Sequence, residues 1–579
     1  MDLSVPPRRL MLAVFAAGLL FTALSAAQVV GLDDLDAQLL LAVKTDQADF
    51  AKSLLKRGAD PNTRDADSEY NETALHVAVL KRHLSVAEIL LQNGANPYLE
   101  DAHRGPVLFY AARDEKTLRL LLTWKVPIDS ENSEGTTALI RNFYDPETIP
   151  LLLKHGASPN HRTKMGQIPI VEAGEHAEAA LAIAMIKAGA NVNLQDAEGN
   201  TALIKARDSV YQASVQPLLE AGADVKIRNK AGQNALMAGI GRNEAGDQVL
   251  LESGADTNLT DADGSTALML AAARSATKTV RALLARGAEV KARNRNGETA
   301  LHYAAGATPY FEKPDEEAAA RKQPSATMAL LLAAGADLAA QDEGGRSPLH
   351  RAVANGYTES ARFLLEKKAD INQTARDGST ALHLGLTGGG RSPEDSAEKV
   401  QLLVASGAAL DNADRKGRTP LLIAVEEMNR GYVQLLLKNK VAGKPSFDSL
   451  LLIAARSFHE RHVKADDYAA IVAALSARST DVNIRDPNGM TPLMWVAASN
   501  VPAAVESLLE HRADLELRTR DGRTALMWAA ASGAGKSVKV LLKRGAEDSA
   551  RDNDGRTAGD WAKWMDQEEA RLLLEPVIR

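Results

Sequence analysis

Residues Gly264 to Val290 read GSTALMLAAARSATKTVRALLARGAEV, and this stretch decides the fold. Thr266 carries a hydroxyl that can accept from the first free N–H groups of a helix, and the Leu and Ala residues behind it supply an apolar face. A second segment closes on Leu283-Leu284, which puts an apolar side against the first helix. Gly287 then ends it in a left-handed conformation. The stretch predicts two short antiparallel helices. The polar linkers that flank such stretches, NLTDADG at Asn258 and ARDNDG at Ala550, have the Asp, Asn and Gly content of a tight projecting turn.

The same phrase recurs along the chain. It reads GNTALIKA at Gly199, GQNALMAG at Gly232, GETALHYAA at Gly297, GRSPLHRAV at Gly345, GSTALHLG at Gly378, GRTPLLIAV at Gly417, GMTPLMWVAA at Gly489 and GRTALMWAAA at Gly522. Counted from Gly166, the opening glycines fall at Gly199, Gly232, Gly264 and Gly297, a nearly constant step of about 33 residues. Thr299 and Thr524 repeat the cap of Thr266, and Pro348, Pro420 and Pro492 stand at the first helical position, where no N–H is needed. Each unit closes with Leu-Leu and then RGAD, NGAN, AGAN, AGAD or SGAD. One unit cannot bury its apolar sides alone, whereas stacked neighbours can, so the repetition predicts a solenoid of thin layers.

This pattern resembles the ankyrin repeat, G-x-T-P-L-H-x-A-A followed by Leu-Leu and G-A-D/N, from about Asp33 to the end of the chain. The resemblance implies an all-α repeat solenoid of helix-turn-helix units with β-hairpin fingers, spanning residues 28–579. It also implies that His76, His302, His350 and His383, which fill the histidine position of the phrase, are structural hydrogen-bonding residues. Arrays of this kind generally hold a protein partner on the concave surface of fingers and first helices.

Several units depart from the pattern. Gly105 to Glu134 keeps the helix-pair spacing without the Gly-Ala-Asp phrase, Lys368 replaces the glycine that ends a helix, and Ser446 to Asn488 has apolar helices without an opening motif. Two intervals, Gly297 to Gly345 and Gly378 to Gly417, are longer than the common step. The extra residues near 306–324 and 387–397, with a third insertion near 457–467, follow the first helix of their repeats and are expected on the rim opposite the fingers. Residues 555–579 lack a finger and end in charged side chains, as a polar terminal cap should.

Composition agrees with thin layers: aromatic residues are only 4% of the 579, too few for one thick core. The net charge of −7 and the lack of a polybasic run exclude nucleic acid and anionic membranes as expected partners. At the N-terminus, Arg8 and Arg9 precede an uncharged run from Leu10 to Leu24 and then Ser25-Ala26-Ala27. The run is short for a membrane span, and the small residues make residues 1–27 a signal peptide cleaved after Ala27; an uncleaved anchor is the alternative. With no cysteine, lipid attachment there and disulfides are both impossible, and the exported chain must be stable by packing. The periplasm is the expected location, with secretion beyond it the alternative.

Three tempting sites have plainer readings. GAGKS, Gly533 to Ser537, looks like the end of a phosphate loop, but the position of the first glycine is Ala530 and the preceding residues read as a helix, so no nucleotide is expected. Register instead makes Gly533 the bend between two helices and puts Lys536 on the exposed start of the second. In FHERH, His459 and His462 are three apart where a helical zinc motif needs four, so no metal is expected. Trp495, Trp528 and Trp561, one period apart, form a column shared with Leu270, Tyr303 and Leu384, which reads as core packing because aliphatic residues substitute there.

What remains is the residue after each opening glycine, expected on a finger. It is Glu72, Thr136, Gln167, Asn200, Gln233, Ser265 and Glu298 in the first half, then Arg346, Ser379, Arg418, Met490, Arg523 and Arg556. The four arginines are the candidate partner-binding residues, and they point to an acidic protein surface, with Asp377, Asp521 and Asp554 beside them. A repeat array offers no deep pocket of convergent titratable groups, so the expectation is a non-catalytic exported scaffold without cofactor. The alternatives are a secreted effector acting on a host protein, or an enzyme with its site in a degenerate repeat.

Overall fold

The computed structural model describes residues 34–145, 147–176, 179–209, 212–307, 323–387, 393–439, 446–458 and 463–575. The signal segment 1–27, residues 308–322, 388–392 and 459–462 of the three insertions (His459 and His462 among them) and the last four residues of the cap lie outside these. The described residues hold 32 helices and divide into two compact units, one running to Ala262 and one from Asp263.

Within each unit the helices come in pairs. The inner helix of a pair packs on the inner helix of the next, and outer helix packs on outer helix. In the repeat opening at Gly264, Thr266 caps the inner helix Ala267–Ala273 by accepting the Met269 N–H at 3.3 Å. Ala267, Leu268, Met269, Ala271 and Ala272 are all buried, and the next inner helix Ala300–Ala305 and the outer partner Thr277–Ala285 both pack against this helix. The outer helix Thr277–Ala285 is amphipathic: Thr279, Val280 and Leu283 are buried, Lys278 and Arg281 exposed. Each fully buried leucine contributes roughly 1.5–3 kcal/mol, so stability comes from many small layers.

The helix boundaries follow the sequence reading. Pro348, Pro420 and Pro492 each begin a helix. Gly287 has φ 80° and lets the Ala288 N–H donate back to Leu283. Lys368 makes the same turn at φ 67° with a Cβ that glycine would lack. Thr524 precedes the helix Ala525–Ala531 and among the described residues makes no side-chain capping bond. The degenerate stretches form helices as expected, Val107–Ala111 with Glu115–Thr123, and Phe447–Ser457 with Ala465–Ser476. In the repeat that opens at Gly555, the places of Met527, Ala530 and Val538, all buried, are taken by Asp560, Lys563 and Arg571.

The expected hairpin fingers are shorter than hairpins. Among the described residues the only β pairing is three isolated bridges, Arg64 with Thr73, Glu100 with Pro106 and Glu131 with Thr137. Each finger is a tight turn closed at its base. The Asp414 N–H donates to the Arg418 carbonyl at 3.0 Å, and the Gly417 N–H to the Asp414 carbonyl at 2.9 Å. Successive fingers then bond edge to edge, as where the Arg376 N–H donates to the Gly344 carbonyl at 2.8 Å. That approach explains the opening glycine: at Gly345, φ 74°, a Cβ would stand 2.6 Å from the Arg376 nitrogen.

Candidate functional site

The finger surface of the unit from Asp263 is built from these turns. The residue after each opening glycine sits at the base of its finger, where its backbone closes the turn and also serves the preceding repeat. The Arg346 carbonyl accepts from His302 Nε2 at 2.9 Å, and the Arg418 carbonyl from His383 Nε2 at 3.1 Å. On the other side of each imidazole, Nδ1 accepts from the backbone N–H of Thr299 or Thr380 at 3.2 Å. His76 and His350 make the same bridges, to Gly105 and Ser379. Burial, the largest effect, pushes all four imidazoles below their ordinary pKa, and they act as neutral clamps between repeats.

The four candidate arginines differ in what their side chains do. Arg418 forks onto Asp414, with Nε at 2.9 Å and Nη2 at 2.8 Å. Burial works to raise the Asp414 pKa, but the Arg418 and Lys416 N–H groups and the Arg418 guanidinium hold it below the usual carboxylate range. Arg523 lies 3.9 Å over the Trp561 ring and 5.2 Å over Trp528, with Asp521 at 3.6 Å. Arg556 lies between Trp561 at 5.2 Å and Trp564 at 4.7 Å, with Asp554 at 3.0 Å. Indoles and guanidinium groups thus alternate in a ladder, each cation held by a ring face and a carboxylate. Arg346 is exposed and has no ion pair or side-chain hydrogen bond among the described residues.

Arg346 borders a groove of about 470 Å³ between fingers, lined also by Asn296, Glu298, Glu343, Arg376 and Asp377. A second groove of about 480 Å³ shares Arg376 and reaches Arg293 and Thr374. The sequence reading passed over Arg376, which stands at a fingertip two residues before the glycine. Its signal was available, since Arg295, Arg415 and Arg520 hold the same position before their own glycines.

The tryptophan column is only partly core. Trp561 is 3% exposed, whereas Trp495 and Trp528 are half-buried. GAGKS forms a helix-turn-helix corner: the helix Ala525–Ala531 precedes it, Gly533 turns at φ 68°, and Lys536 is exposed on the helix Gly535–Lys543. Among the described residues no group of three or more His, Cys, Asp or Glu side chains is placed to hold a metal ion, and no helix is long and apolar enough to cross a membrane.

A family model for ankyrin repeats (three copies) matches residues 10–101, 234–310, 317–393 and 461–552, more than half of the chain. Inversin of Canis lupus familiaris is 34% identical over 146 residues, 24% of this chain and 13% of that protein. The mitochondrial disaggregase of Bos taurus is 33% identical over 149 residues, 24% of this chain and 21% of that protein. The chain therefore spans less than a quarter of the length of either relative. Among solved structures, the ankyrin repeat domain of Bcl-3 is 29% identical with a TM-score of 0.31, covering 41% of this chain and 99% of that one.

Proposed function

Because the chain belongs to the ankyrin-repeat family, whose repeats are generally protein-interaction modules, we propose that it is a non-catalytic, exported scaffold that holds a protein partner on its finger surface. The partner face is the row of Arg346, Arg418, Arg523 and Arg556 with the tips beside it, and the partner presents acidic groups to it. Arg346 carries this reading. It is an exposed guanidinium without an ion pair among the described residues, beside an open groove, in a row whose other members are neutralised within the chain. Arginine at such a place pairs carboxylates through its planar fork. No nucleotide, nucleic acid or cofactor enters this function.

Export rests on residues 1–27, whose charged start, short apolar run and small-residue end are those of a cleaved signal. The mature chain then begins at Gln28 and acts in the periplasm. N-terminal sequencing from the native cell tests this, and an intact Met1 would overturn it. The finger reading is tested by a photo-crosslinking residue placed at Arg346 and, as control, at Arg281 on an outer helix, in the full chain in its native cell. A protein adduct from position 346 and none from 281 is expected. Equal adducts from both, or none from 346, would sink the finger reading.

A further inference from the structure

The fingertips carry a charge pattern that the finger bases do not. Four consecutive turns in the unit from Asp263 are closed alike, with Asn294, Asp342, Ala375 and Asp414 each donating its N–H to the carbonyl four residues on, at 2.8–3.0 Å. The second residue of each turn is Arg295, Glu343, Arg376 and Arg415. Each is also the residue whose N–H bonds to the finger before it: Arg295 to Asp263, Glu343 to Asn296, Arg376 to Gly344 and Arg415 to Asp377, at 2.8–2.9 Å. Both ends of the position are therefore fixed by backbone, and the four side chains leave equivalent points on a rigid edge.

All four are exposed, and among the described residues none has an ion pair or a side-chain hydrogen bond. This is not the general condition of charges on these turns. Arg293 donates to the carbonyls of Gly297 and Gln341, Arg418 to Asp414, and Arg351 pairs with Glu298. The tips keep their charge for solvent or for a partner, in the order plus, minus, plus, plus.

Spacing turns the order into a register. Packed helices lie about 8–10 Å apart, which sets the step between fingers, and an extended chain in the polyproline II conformation advances about 3.1 Å per residue with three residues per turn, so one finger corresponds to one turn and side chains three residues apart share a face. Resting on the reading of the fingers as the partner face, we propose that this edge binds an extended protein segment with acidic, basic, acidic and acidic side chains at successive three-residue steps. The basic side chain lies over Glu343 and the last two acids over Arg376 and Arg415. Like charges set opposite one another are costly, so the minus at Glu343 rejects a uniformly acidic strand as well as selecting the matched one.

The test uses the full mature chain and fluorescein-labelled peptides in low salt, where exposed charges are least screened. The matched probe is Glu-Ser-Ser-Lys-Ser-Ser-Glu-Ser-Ser-Glu, used with its reversed sequence because strand direction is open. The controls are a peptide of the same composition with its charges adjacent, and one with Glu in place of Lys. One matched direction should bind about tenfold tighter than either control, given the cost of opposed like charges. Glu343→Lys should transfer the preference to the all-acidic peptide, and Arg376→Glu with Arg415→Glu should abolish binding while circular dichroism is unchanged. Equal binding of matched and adjacent-charge peptides, no binding of any, or an unaltered preference in Glu343→Lys would overturn the register. If acidic peptides bind whatever their spacing and the double variant loses them, the register fails while the finger surface stands. Loss of the crosslink at position 346 would sink the finger reading itself.

Discussion

The indole N–H of Trp561 donates to the carboxylate of Asp552, nine residues earlier in the chain, at 2.8 Å. The same nine-residue staple ties Tyr110 to Asp101 at 2.5 Å and Tyr303 to Asn294 at 3.0 Å. In each case an aromatic side chain at the fourth residue of an inner helix holds the base of the finger that precedes it. At these three positions the aromatic side chain locks a finger to its helix.

Trp528 lacks this staple. Nine residues before it stands Thr519, whose hydroxyl is taken by the Arg523 N–H at 3.1 Å, and among the described residues the buried Trp528 Nε1 has no partner. Thr519→Asp would place a carboxylate where Asp552 has one, serving both the turn and the indole. An orphaned buried donor costs about 1–3 kcal/mol, so the variant should gain about 1–2 kcal/mol in urea unfolding. Thr519→Val, which removes the turn bond as well, should lose stability. An unchanged or lowered midpoint for Thr519→Asp would show that the indole is satisfied in some other way.

The corner at Gly533 bears on nucleotide binding. A phosphate loop leaves a strand and wraps backbone N–H groups around the anion, whereas here a helix precedes the turn, and Lys536 projects from an outer helix while its N–H donates to Asn500 at 3.0 Å. ATP with magnesium titrated calorimetrically into the full chain should give no saturable heat. A micromolar signal that vanishes in Lys536→Ala would overturn the assignment.

How much of this was legible follows from what repeats. The period, the threonine and proline helix starts and the left-handed glycines were readable because every layer buries its neighbour in the same way, so each copy restates one packing solution. The division of labour among the arginines was not, since Arg418 and Arg346 occupy one register position in the sequence. Both have an aspartate four positions before, Asp342 or Asp414, whose carboxylate accepts the arginine's own N–H; what separates them is that the Arg418 guanidinium also folds back onto Asp414, whereas among the described residues that of Arg346 pairs with no carboxylate. The tip row was hidden because an arginine before a glycine looks like ordinary turn solvation.

The histidine clamps make stability depend on pH with a definite sign. Burial, above all, holds the folded pKa values of His76, His302, His350 and His383 below the 6.5 of the unfolded chain. Protonation would also take away the Nδ1 lone pair that accepts a backbone N–H. Between the folded and unfolded values the unfolded chain binds more protons, so stability is complete above about 6.5 and declines as pH falls toward the folded values. Thermal midpoints should be flat from about pH 8 to about 6.5 and fall below it, and His383→Gln should lessen the fall. A midpoint that rises as pH drops through that window would refute the neutral-clamp account.

The largest departure from the repeat pattern lies in the other unit, where Arg207 and Asp247 form an ion pair with both side chains fully buried. Arg207 stands in the last turn of the helix Ala202–Asp208, at the place filled by Ala272 and Ala305 in other repeats. Its guanidinium also bonds Gln212 and the Gly239 carbonyl, the latter at 2.9 Å, and Asp247 accepts the Gly241 N–H at 2.9 Å. Two glycines make the room: a Cβ at Gly246 would stand 2.2 Å from an Arg207 nitrogen, and one at Gly239 2.0 Å from its carbonyl oxygen. A glycine inside the helix Glu244–Glu252 costs about 1 kcal/mol, so the sequence gives up helix propensity to admit the charge. Removing one partner strands the other without water. Asp247→Ala should therefore destabilise the unit by about 3–5 kcal/mol, while the double variant Arg207→Met with Asp247→Ala should recover much of the loss, because buried pairs are often no better than apolar replacements. Urea unfolding of the four corners of this cycle in the full chain decides it. If the two single losses simply add in the double variant, the pair is not coupled, and Gly246 must be explained by packing alone.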